Sequence, residues 1–158
     1  MATAKNALNP ARGKLFTLVV PMAAVALWVL LWQFGFIASV VAWLIAAATV
    51  KLYRQGAGGV QRTDAGWIVG MIVFSLVLAI LSGMASDALA YYISESGGTV
   101  ASNLLAWDFW DFFLANLMTA ELWSSYAVDI AIAVAFCALG AYTDVRQLLA
   151  GPAPRKAA

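Results

Sequence analysis

Two aspartates set in apolar surroundings are the residues of this sequence best placed to do chemistry. Asp87 lies about five residues before the end of an apolar run that reaches Tyr92, and Asp129 lies about six residues into another that starts at Trp123. If the two runs are antiparallel membrane helices, their carboxylates come to similar depth. An ionised Asp at the bilayer centre costs roughly 2.5–3.5 kcal/mol, less near the interface, so such a residue is expected to face protein or water. Asp87 and Asp129, with Ser86 or Ser125 nearby, would then bind a cation or carry a proton. The competing expectation is that both are shallow and hydrated and serve as helix-end caps.

Other chemistries have little support. The chain has no His and only Cys137, which excludes imidazole catalysis, a disulfide within the chain and any Cys-based metal site. It contains no G-x-S-x-G, no phosphate-binding G-x-x-x-x-G-K-[ST] and no H-E-x-x-H. Isolated Ser39 and Ser75 lack a base and are expected to bond their own helix backbone. No enzymatic activity, metal or cofactor is therefore expected.

The elements that must position the aspartates follow from composition. Of 158 residues, 64% are hydrophobic and 11% charged, against about a quarter charged in soluble domains. The expected fold class is all-α, an integral membrane bundle, since about 20 apolar residues make a helix that crosses a ~30 Å core. Residues 15–50 carry no formal charge. One helix of that length would extend roughly 54 Å, so it must break, and "WQFGF", with Gln33 and Gly35, is the natural place. Four spans result, at about 15–32, 35–53, 65–92 and 123–143, with Pro21 near the start of the first. They form one domain over residues 14–149, with tails at 1–13 and 150–158 expected to be unstructured and cytoplasmic.

Charge sets the orientation. All nine Lys and Arg fall in three clusters, residues 5–14, 51–62 and 146–156. By the positive-inside rule both termini and the connector after the second span are cytoplasmic, in the cytoplasmic membrane. Asp87, Glu95, Asp108, Asp111 and Glu121 then lie towards the external side. A basic region precedes the first span, but the apolar run continues into a second, so no cleaved leader is expected.

Three further stretches could contact partners. "NLLAWDFWDFFLANLM", residues 103–118, puts Asp108, Asp111 and Ala115 on a narrow stripe and aromatics elsewhere, the pattern of an interfacial amphipathic helix. It would anchor the external loop, or else present Trp107, Trp110 and Phe113 as a lid or a partner surface. "GWIVG" places Gly66 and Gly70 four apart, a spacing that lets helices approach closely, within one chain or between chains. "KLYRQGAGGVQRTD", residues 51–64, is read as a hairpin connector in which "GAGG" makes the turn and Thr63 or Asp64 caps the next helix. There Lys51, Tyr53, Arg54 and Arg62 would contact anionic headgroups, each cation being attracted by about 1 kcal/mol. With the cations assigned to the membrane surface, no nucleic-acid partner is expected.

The segment "LWVLLWQFGFIASVVAWLIAAATVKLYRQGAGGVQRTDAGWIVGMIV", with Gly35, Tyr53, Gly56, Gly58 and Gly59, resembles small uncharacterised membrane proteins of Gram-positive bacteria. The resemblance covers residues 27–87. It implies four spans in the cytoplasmic membrane and no particular activity. The functional expectation is a non-enzymatic accessory or scaffolding protein packing with other membrane proteins or with its own copies. The alternative is a small oligomeric transporter or channel using Asp87 and Asp129.

Overall fold

The computed structural model describes residues 8–33 and 39–150. The turn expected at "WQFGF", with Gly35, and most of both tails lie outside them. The described chain is helical throughout, with no strand: α1 Pro10–Thr17, α2 Val19–Gln33, α3 Ser39–Ala57, a short 3-10 turn Arg62–Asp64, α4 Ala65–Ser96, α5 Val100–Leu104, α6 Trp107–Leu117 and α7 Ala120–Ala150.

Helix α1 begins inside the segment expected to be a tail. Pro10 supplies a preset first turn, and Asn9 Oδ1 caps it by accepting from the Arg12 amide at 3.1 Å. Pro21 consequently lies well inside the first apolar segment rather than at its start. Its ring opposes the carbonyl four residues back, that of Thr17, and α1 ends there before α2 resumes at Val19.

Among the described residues, three helical segments are long and apolar enough to cross a membrane: Pro10–Trp32, Arg62–Ser96 and Ala120–Tyr142. Helix α3 is not among them, because its last two turns carry Lys51 and Arg54. It is nevertheless the centre of the bundle. Val41, Ala42, Ile45, Ala46, Thr49, Val50 and Tyr53 are all buried, on a face wide enough to serve α1, α4 and α7 together.

Close helix crossings depend on glycine. A Cβ on Gly56 of α3 would stand 2.7 Å from the Arg12 carbonyl oxygen and 2.9 Å from Gly13 Cα, and one on Gly140 of α7 would stand 2.8 Å from the Trp43 carbonyl oxygen. Gly83 of α4 makes room for the Trp28 indole, 2.8 Å from such a Cβ. Gly56 and Ala57 therefore belong to α3, and the turn expected from "GAGG" begins at Gly58, whose φ of 76° suits glycine.

Hydrogen bonds fix which ends meet. The Asn9 amide donates to the Ala57 carbonyl at 3.0 Å, and Trp67 Nε1 donates to Thr17 Oγ1 at 3.1 Å. These bonds join the start of α1 to the end of α3 and the end of α1 to the start of α4. Lys14 Nζ lies 5.2 Å over the Trp67 ring. At the opposite end the last turn of α2, the later part of α4 and the first part of α7 converge. Arg12, Lys14, Lys51, Arg54 and Arg62 thus sit at one end, hereafter the basic end.

The segment 103–118 is two helices, broken at Leu105 and Ala106. Thr99 and Ser102 form a capping box at the start of α5, and Asn103 Nδ2 donates to the Gly97 and Thr99 carbonyls at 3.0 Å. Trp110 Nε1 donates to the Leu104 carbonyl at 2.9 Å and Trp123 Nε1 to the Leu117 carbonyl at 2.8 Å, so each indole satisfies a carbonyl at the end of the preceding helix.

Candidate functional site

Asp87 is the polar centre at the end opposite the basic residues. Its Oδ1 accepts from Trp32 Nε1 at 2.9 Å and its Oδ2 from the Tyr126 hydroxyl at 2.7 Å. Helix α4 supplies the acceptor, α2 and α7 a donor each, and one carboxylate ties three helices. Stacking reinforces the arrangement: the Trp32 ring lies 6.3 Å from Trp28 and 5.9 Å from Tyr126.

Asp87 and Asp129 are not joined by a hydrogen bond. Asp129 lies one turn beyond Tyr126 on α7 and is exposed, and Tyr126 takes the place beside Asp87 that the sequence reading gave to a second carboxylate. Next to them Trp28, Trp32, Met84, Tyr126 and Asp129 line a cavity of about 10 Å³, room for about one water. Among the described residues no group of three His, Cys, Asp or Glu could hold a metal ion. Asp87 lies 22 residues beyond Ala65, about 33 Å along the helix axis and so close to a full core thickness from the start of α4. What this arrangement can do is clamp helices at the edge of the apolar layer.

Two expectations for side chains are corrected. Tyr53 was expected at the membrane surface, but it is fully buried, its ring 3.1 Å from where a Gly13 Cβ would stand, because the α1–α3 crossing closes over it. Lys51, Arg54 and Arg62 remain exposed. Phe113 was expected on a lid or partner surface, but it turns inward with Phe109 onto Met84 and Leu89 of α4. That leaves Trp107, 82% exposed, and the rim of Trp110, 38% exposed, to face outward.

The glycines of α4 divide sharply. Among the described residues, a Cβ built on Gly66 or on Gly70 meets nothing within 4 Å, so none of them packs on this small-residue face. Phe74, one further turn along the same face, is 54% exposed.

Sequence reasoning missed Trp32 and Tyr126 as partners of Asp87. The available sign was an aromatic with a polar tip near each span's end, a residue type that finds a hydrogen-bond partner when buried. Comparison with protein families, curated proteins and solved structures finds no match to this chain.

Proposed function

We propose that the protein is a non-enzymatic scaffold of the cytoplasmic membrane, with four spans and both termini cytoplasmic, whose spans pack against another membrane protein or a second copy. Helix α3 completes the fourth span, and residues 103–118 lie at the external interface. The collection of the described cations at the bundle end that holds α1, the end of α3 and the start of α4 supports this orientation.

The observation that carries the reading is the open space at Gly66 and Gly70. In lipid, helices associate through close packing of small residues rather than through apolar burial. Every span exposes apolar surface to lipid, so exposure alone argues for nothing. Two glycines at i and i+4 with no described neighbour above them are different, because glycine weakens a helix by about 0.5–1 kcal/mol relative to Ala and here returns no packing among the described residues. A partner helix docked on that face accounts for both.

The transport alternative draws less support. Each oxygen of Asp87 already accepts a hydrogen bond from another helix, and the adjoining cavity has room for about one water. Purification in mild detergent separates the two readings. A scaffold co-purifies with a larger membrane assembly or as a defined homo-oligomer without flux. A homo-oligomer that conducts cations or protons in liposomes, with flux abolished by Asp87→Asn, would replace it.

A further inference from the structure

Helices α4 and α7 touch sparingly, and a groove runs between them. At one end it opens into a chamber of about 710 Å³ beside Val69, Tyr142 and Arg146, and towards the other into one of about 610 Å³ beside Val77, Leu81 and Trp123. Ala138 and Ala141 border both chambers, which makes the groove continuous. Each lies in the range of roughly 300–1,000 Å³ typical of small-molecule sites.

The lining is apolar except at the basic end. There Arg146 is exposed, its guanidinium 6.0 Å over the Tyr142 ring and its Nη1 donating to the Tyr142 hydroxyl at 3.5 Å. The groove follows α4 from Val69 to Leu81, about 18 Å at 1.5 Å per residue, and α7 from Arg146 to Ile130, about 24 Å, with Leu117 and Trp123 at its far end, so it is longer than the ~15 Å depth of one leaflet's hydrocarbon. A cation at one end of an apolar channel long enough for a whole acyl chain is complementary to an anionic headgroup attached to that chain. The lining positions Ile72, Leu76 and Ile80 lie away from Gly66, Gly70 and Phe74 on α4, whereas Val73 and Val77, three and seven residues after Gly70, share the glycine side, so the groove adjoins the open glycine face along α4.

We propose that this groove holds one anionic phospholipid of the basic-side leaflet, with an acyl chain between α4 and α7 and the phosphate on Arg146 and Tyr142. The site rests on the membrane setting of the proposed function, and its α7 wall, Ala138 and Ala141, stands on a different helix from the glycine face. The guanidinium supplies the charge-assisted bond to phosphate, and the Tyr142 hydroxyl a second donor. The groove selects for a chain, and Arg146 selects for charge.

The test is native mass spectrometry of the full chain released from nanodiscs of equimolar phosphatidylglycerol and phosphatidylcholine. The expected result is one retained lipid per chain with phosphatidylglycerol preferred. Arg146→Ala lowers that preference about fivefold, the worth of one cation at an anionic surface, while Arg146→Lys largely keeps it. Arg62→Ala, which removes another exposed cation at the same end, leaves the preference unchanged. Ala138→Trp and Ala141→Trp each fill the groove from α7, away from the glycine face, and either removes the retained lipid whatever its headgroup. An equal loss of preference in Arg62→Ala, lipid retention unchanged in both Trp variants, or a dimer dissociated by both Trp variants would overturn the proposal. The last of these outcomes would assign the groove to a second copy.

Discussion

Gly56 and Gly70 are both helical glycines of one bundle, and they do opposite work. At Gly56 the backbone of α1 lies so close that a methyl group would stand 2.7 Å from a carbonyl oxygen, whereas at Gly70 it would meet nothing. The first is explained by the fold and the second is not. In lipid, glycine contributes chiefly by letting helices approach closely, which Gly70 does not do among the described residues. The same division separates Gly140 and Gly83, pressed onto Trp43 and Trp28, from Gly66.

Substitution should split the two classes by sign. Gly56→Val and Gly140→Val push a branched side chain into backbone, and each is expected to destabilise the bundle by about 1–3 kcal/mol or more, read as loss of helicity on denaturant titration in micelles. Asp87→Ala comes next. It deprives Trp32 Nε1 and the Tyr126 hydroxyl of their acceptor, a cost of about 1–2 kcal/mol since the cluster is only partly buried, while Asp87→Asn retains an acceptor and costs less. Gly70→Ala should move the other way, raising stability by about 0.5–1 kcal/mol through helix propensity. Trp107→Ala should change stability by no more than about 0.5 kcal/mol, because the ring is exposed. A destabilising Gly70→Ala would erase the distinction.

Much of the fold was legible because it depends on local rules. Uncharged runs of span length and the clustering of cations follow from helix rise and the cost of charge in hydrocarbon. The exceptions have tertiary causes. Pro21 became an internal break because Asn9 and Pro10 started a helix upstream, where the sequence reading placed a tail. Tyr53 has the type and position of an interface anchor, but the Gly13 and Gly56 crossing draws α1 over it. Helix α3, the least span-like in hydropathy, proved central because small residues such as Ala42 and Ala46 admit neighbours on several sides.

The site was half legible for a related reason. Asp87 stood out by charge alone, but a carboxylate's partner is set by which helices converge. A Trp 55 residues before it and a Tyr 39 residues after it carry no mark of the pairing in sequence. The glycine spacing was visible at Gly66 and Gly70, whereas its emptiness was not, since only packed coordinates separate a crossing within the chain from one awaiting a partner.

The most direct measurement is the mass of the assembly extracted in mild detergent, by size exclusion with light scattering, for wild type and for the paired variant Gly66→Leu with Gly70→Leu. The two leucines enter open space, so helicity and unfolding midpoint should hold or rise while the wild-type assembly falls to a single chain. An unchanged assembly mass in a folded variant would contradict the scaffold account at its centre.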